Sequence, residues 1–233
     1  MINKDLKNLD FIAGEILLIN KPYSWGSFDV VKKIRYTLQK KFNIKKLKVG
    51  HAGTLDPLAS GLLIVCIGKK TKTIASMIEF DKEYYAKIFI GATTPSYDLE
   101  TEVDKKYSIS HIDKELVVSI LSEFIGEQEQ VPPIFSAKKI QGERAYEKAR
   151  KGINIEMKSS SINIEEIELL SFNLPYIEIR VVCSKGTYIR SLARDIGLAL
   201  NSGGYLAGLE RTRIGNYKLE NSITLDSFVN FFK

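Results

Sequence analysis

Six consecutive apolar residues, Leu62-Leu63-Ile64-Val65-Cys66-Ile67, constrain this chain more than any other feature. Such a run reads as a strand buried on both faces, so the fold must lay material against each side of it. Directly before it stands Gly50-His51-Ala52-Gly53-Thr54-Leu55-Asp56-Pro57-Leu58-Ala59-Ser60-Gly61, a glycine-punctuated loop at the mouth of that strand. Its glycines permit positive φ or the close approach of another backbone, and Pro57 stiffens the segment just after the single acid. Asp56 is therefore either a preorganised functional carboxylate or the capping residue of an Asx-turn. The local pattern leaves both open.

Strands and helices follow one another without regular βαβ alternation and without an internal repeat, which predicts an α+β fold with a mainly antiparallel sheet. Residues 1–13 are polar and irregular. A short strand is expected over Ile16–Asn20, stopped by Lys21-Pro22, then a helix capped by Ser27 with Val30, Ile34 and Leu38 on one face. Further helices are expected over 71–80, from a Ser110–Asp113 capping box to Gly126, over 144–151, over 187–200 and from Thr224. Strands are expected over 83–91, with Tyr84, Ala86, Ile88 and Ile90 on one side, and over 162–170, 177–183 and 206–214.

With 233 residues the chain can bury a substantial core as one domain, or as one domain carrying an inserted lobe. A hydrophobic content of 44% and a charged content of 27% are those of a soluble globular protein, and the net charge of +6 leans toward a polyanionic partner. Cys66 and Cys183 both lie in apolar, strand-like runs, so buried reduced thiols are expected, which suits a reducing cytoplasm. No leader and no membrane-length apolar run is legible. Two histidines and no close cysteine pair argue against a metal site.

The loop through Gly68-Lys69 resembles the signature of the TruB family of tRNA pseudouridine-55 synthases. Other segments agree with it in the family's order. They are Gly14–Pro22, Trp25–Val31, Lys82-Glu83-Tyr84-Tyr85, Val131–Lys139 with Gly142–Tyr146, and Cys183–Leu192. The resemblance spans about residues 14 to 217 and implies the pseudouridine synthase fold: a single catalytic domain over 1–233 with an inserted lobe at about 92–160. It also implies a cytoplasmic, monomeric enzyme that acts on the T-arm of tRNA with no cofactor and no metal.

That family breaks the N1 glycosidic bond of a uridine, turns the base and rejoins it through C5. The resemblance places Asp56 as the carboxylate that starts the reaction, at the ribose C1′, at the uracil C6 or by way of a glycal. It places Arg190 as the cation paired with Asp56, a fork able to hold a carboxylate while staying charged. Asp98 would share that arginine. Tyr84 would stack on the flipped target base, His51 would contact the target or fill the gap it leaves, and Tyr188 and Leu209 would line the base pocket. Backbone contacts are expected from Lys21, Lys69, Lys70, Lys72, Lys138, Lys139 and Arg144.

Read from residues alone, Tyr84, Tyr188 and Leu209 are equally plain packing residues, His51 a loop histidine and Arg190 half of a structural ion pair. Relatives with a C-terminal RNA-binding PUA domain extend further, and the stretch after Ile214-Gly215 is too short for one. Glu210 stands where a basic residue is expected beside the RNA path. Two other classes compete: a magnesium nuclease using Asp56, Asp98 and Glu100, and a catalytically silent RNA-binding protein that kept the tRNA surface.

Overall fold

The computed structural model describes residues 9–11, 13–136, 139–140, 143–144 and 157–233. The expected helix over 144–151 and the leading residues 1–8 fall outside them, apart from Arg144 in a two-residue strand. The chain divides into two compact units, one formed up to Tyr84 and again from Leu209, the other from Tyr85 to Gly208. Labelled elements are strands β1 (Ile16–Lys21), β2 (Val49–Ala52), β3 (Ala59–Ile67), β4 (Lys82–Ile90), β5 (Gly126–Gln130), β6 (Ser160–Asn173), β7 (Tyr176–Cys183) and β8 (Gly204–Ile214). Helices are α1 (Ser27–Phe42), α2 (Ile74–Ile78), α3 (Lys114–Glu123), α4 (Ile189–Ala199) and α5 (Leu225–Phe231).

In the first unit β3 is the organising strand. It runs antiparallel to β1, with Lys21 opposite Gly61, and on its other edge pairs parallel with β8 (Arg211 opposite Gly61) and antiparallel with β2. Leu63, Val65 and Ile67 pack with Ile19, Val30, Ile34, Leu38 and Phe228. Leu62, Ile64 and Cys66 pack with Met77 and Ile214. The strand is thus buried on both faces, as the apolar run requires. In the second unit β6 and β7 form a long antiparallel pair, and β5 joins the far edge of β6.

Several boundaries differ from the sequence reading. The residue before α1 is Gly26, and Ser27 instead exchanges hydrogen bonds with Leu55, its Oγ donating to the Leu55 carbonyl and accepting from the Leu55 N–H, both 2.8 Å. The expected helix over 71–80 splits into a 3₁₀ stretch, Gly68–Thr73, and the short α2. Thr71 and Thr73 donate back to the carbonyls of Gly68 and Lys70, which favours the tighter turn. Asp113, rather than a Ser110-led box, caps α3 by accepting from the Leu116 N–H. The helix expected from Thr187 begins at Ile189, and β5 has no counterpart in the sequence reading.

Candidate active site

Asp56 lies in the turn between β2 and β3, half-buried, with the turn closed by the Ala59 N–H donating to the Asp56 carbonyl. The residues around it are held one by one. Arg211, 1% exposed, sends its guanidinium to the carbonyls of Gly53 (3.0 Å), Thr54 (3.4 Å) and Leu62 (2.9 Å). Ser27 fixes Leu55 on both backbone atoms. Lys21 donates to the carbonyls of Trp25 (2.7 Å), Pro22 (3.0 Å) and, more weakly, Pro57 (3.5 Å). Residues 53, 54, 55 and 57 are therefore each anchored by a buried side chain, so the loop that carries the acid has little freedom.

Lys21 and Arg211 flank Gly61 on neighbouring strands, and both are fully buried cations. A buried charge is tolerated only when hydrogen-bonded, and backbone carbonyls supply that here. Burial draws the Lys21 ammonium down from 10.5 to about 8, opposed by the nearby Asp56 carboxylate and aided by the Arg211 charge. Lys21, read from the sequence as an RNA-contacting lysine, is buried here with three carbonyl partners and braces the loop. Arg211 was singled out by no sequence motif. Its one signal is an arginine within a strand otherwise expected to be largely buried, and Arg213 two residues on shares it.

His51 sits on β2 opposite Val65, half-buried, rather than in the loop proper. Burial and then the Arg211 charge push its imidazole below the ordinary value, which favours the neutral ring. Tyr84 is 8% exposed on the inward face of β4, beside the buried Lys82. Leu209 pairs with Ala59, at the start of the strand that leads out of the Asp56 turn. Glu210 pairs with Ser60 and is half-buried.

In the second unit Arg190, on the first turn of α4, is 3% exposed. Its guanidinium lies 3.6 Å from the Asp98 carboxylate and donates to the carbonyls of Ser96 (3.3 Å) and Phe135 (2.9 Å). The Asp98 loop is itself tied down, since Asp98 accepts from the Glu100 N–H and its carbonyl accepts from the Thr94 hydroxyl. Arg190 and Asp98, far apart in sequence, are thus brought together. Tyr188 stands at the N-terminus of α4, and the buried Gln130 clamps its backbone, accepting from its N–H (2.8 Å) and donating to its carbonyl (3.2 Å). Gln130 carried no signal in the sequence. An amide that pairs with a backbone donor and acceptor at once fixes the start of a helix that no side-chain cap serves.

Lys69, Lys70 and Lys72 are exposed together on the 3₁₀ stretch after β3. Lys138 and the side chains of Lys139 and Arg144 lie outside the described residues. Both cysteines are buried thiols that form no disulfide. Among the described residues no three His, Cys, Asp or Glu side chains converge as a metal site, and no helix is long and apolar enough to cross a membrane.

The fold has known counterparts. The crystal structure of a Cbf5-Nop10-Gar1 complex superposes with a TM-score of 0.71 at 28% identity, over 95% of this chain and 55% of that one. This chain therefore spans about half the length of that solved protein. A family model for the TruB family pseudouridylate synthase N-terminal domain matches residues 39–189, and one for the tRNA pseudouridylate synthase B C-terminal domain matches 190–233. The chain belongs to the TruB family of pseudouridylate synthases. Among similar proteins named tRNA pseudouridine synthase B, that of Parabacteroides distasonis is 56% identical over 97% of this chain and 96% of its own. That of Phocaeicola vulgatus is 57% identical over 94% of each.

Proposed function

We propose that this protein converts uridine to pseudouridine at position 55 in the T-loop of tRNA, with Asp56 as the carboxylate that starts the reaction. The observation that carries this reading is the braced loop of Asp56 within a chain of this family. An acid anchored on both sides by buried cations is preorganised for attack or proton abstraction at a sugar, and preorganisation of that kind lowers a barrier without new contacts. Three routes fit it: addition at C1′, addition at C6, or deprotonation of the sugar to a glycal. All are isomerisations, so electrons and atoms balance within the substrate, and no cofactor or metal is needed.

The target uridine is stacked within the T-loop and must be flipped out to reach Asp56, at a cost of a few kcal/mol. We assign Tyr84 to stacking on the flipped base, His51, Tyr188 and Leu209 to contacts with the target nucleotide, and Arg190 and Asp98 to support of the acid, as the family resemblance implies. The exposed Lys69, Lys70 and Lys72 suit phosphate contact, which is independent of sequence and weakens steeply with salt. The enzyme is expected to work as a monomer in the cytoplasm.

Pseudouridine mapping on an unmodified tRNA transcript in EDTA tests this directly. Wild-type protein should yield product at the T-loop uridine, and Asp56→Asn, nearly isosteric, should bind the RNA and yield none. Product from the Asp56→Asn protein at the wild-type rate overturns the role of that residue. Absence of product from the wild type in EDTA, with activity restored by a divalent ion, overturns the metal-free isomerase.

A further inference from the structure

The turn between β1 and α1 and the first turn of α1 present three aromatic side chains to solvent: Tyr23 (55% exposed), Trp25 (38%) and, on the helix, Phe28 (56%). Exposed single apolar residues are ordinary, but three exposed aromatic side chains within six residues are a concentration that invites a partner. This turn is not a loose hairpin tip. The Ser24 N–H donates to the Pro57 carbonyl at 2.8 Å, the Lys21 ammonium bridges the carbonyls of Trp25 and Pro57, and Ser27 holds both backbone atoms of Leu55. Ser24 itself adopts a left-handed conformation, φ 66°. Such a conformation costs about 1–3 kcal/mol in a non-glycine residue and persists only where its surroundings determine it.

The aromatic turn is therefore stitched to the residues immediately before and after Asp56. Resting on the reading of Asp56 given above, we infer that Tyr23, Trp25 and Phe28 form a stacking platform for unpaired bases of the RNA that delivers its uridine to Asp56. The occupant follows from chemistry and position. Aromatic faces held at fixed positions lose little entropy when a base stacks on them, and they accept any base. The ammonium of Lys32 lies over one face of the Phe28 ring, 4.9 Å from its centre, and 3.4 Å from the Asp29 carboxylate, which leaves the other face for a base and keeps a cation within reach of its phosphate. The net charge of +6 favours the same partner over an acidic-surface-seeking or purely apolar one.

Trp25 is the sole tryptophan of the chain, so it reports on its own contact. The test uses the full-length Asp56→Asn protein, which holds RNA without turning it over, titrated with a T-arm hairpin while tryptophan emission is read. Binding is followed independently by a label on the RNA. Saturable quenching with the same midpoint as the label is expected. Tyr23→Ala/Phe28→Ala should weaken binding by about fivefold or more, the lower end for losing one stacked base, without altering the salt slope. Tyr36→Ala, 63% exposed further along α1, should bind as the parent does.

Unchanged emission at saturating RNA, or a double variant within twofold of the parent, overturns the platform, as does protein–protein association that the double variant alone abolishes. Wild-type turnover measured in parallel separates the two ideas. Turnover with a silent Trp25 sinks only the platform, whereas quenching without turnover leaves the platform and sinks the isomerase reading.

Discussion

Replacing Arg211 by methionine removes three donors at one stroke and leaves their acceptors in place. The carbonyls of Gly53 and Leu62 sit at 3.0 and 2.9 Å from the guanidinium, and that of Thr54 at a longer 3.4 Å, so two full bonds and one partial bond are lost. A buried polar group left without its partner costs about 1–3 kcal/mol, which gives about 2–6 kcal/mol for the two strong contacts. Relief from burying the arginine's own charge offsets part of this, leaving a net loss of about 3 kcal/mol. For a protein of this size that corresponds to a melting temperature lower by about 6–12 °C. Total stabilities of about 5–15 kcal/mol mean that the variant should still fold. Its turnover should fall more than its RNA affinity, because the loop carrying Asp56 loses its grip at residues 53 and 54; a misplacement of about 1 Å can cost about 100-fold. Arg211→Lys, with one flexible ammonium in place of the fork, should lie between. Thermal melts and single-turnover assays on the three proteins decide the matter. A methionine variant within about 1 kcal/mol of wild type, turning over normally, would refute the bracing argument.

Two further outcomes rest on the same region. Gly61 has φ of +101°, and a Cβ there would run into the Arg211 carbonyl oxygen, whereas Gly186, at φ +83°, has nothing within 4 Å. Both alanine variants carry backbone strain, so Gly61→Ala should melt lower than Gly186→Ala by about 1–3 kcal/mol of overpacking; equal melting temperatures would remove the clash. Lys21 holds its proton less tightly folded (about 8) than unfolded (10.5). Between those values the unfolded chain keeps a proton that the folded protein has released, so this group's contribution to stability rises with pH. Denaturant midpoints taken near pH 7 and near pH 9.5 should therefore move in favour of wild type relative to Lys21→Met, and a pH-independent difference contradicts the assignment.

The strands were legible where burial imposes a strict period. Leu62–Ile67 had to be covered on both faces, and the inward set of β4 alternates from Tyr84 to Ile90 as its sequence does. What sequence hid was tertiary competition for polar side chains. Ser27 looks like a cap by its position, but Leu55, 28 residues away, takes its hydroxyl. Lys21 looks like a surface lysine because lysines usually are, and becomes a core residue only because carbonyls from two segments converge on it. Arg211 acts on residues more than 150 positions distant, and Gln130 on Tyr188, which no local pattern encodes. Asp56, Arg190 and Asp98 are assigned their roles through resemblance, since a lone acid in a turn and an arginine at a helix start have bland explanations as well.

The threefold partnership of β3 has a consequence for how a substrate is admitted. Because that strand is bonded to β1 on one edge and to β8 and β2 on the other, its amides should be among the slowest in the first unit to exchange with deuterated solvent. A turn rooted in so persistent a strand, and bolted at residues 53, 54, 55 and 57, is ill suited to swing aside as a gate. On the function proposed above, accommodation at Asp56 falls on the guest: the nucleic acid rearranges to meet a wall that stays put.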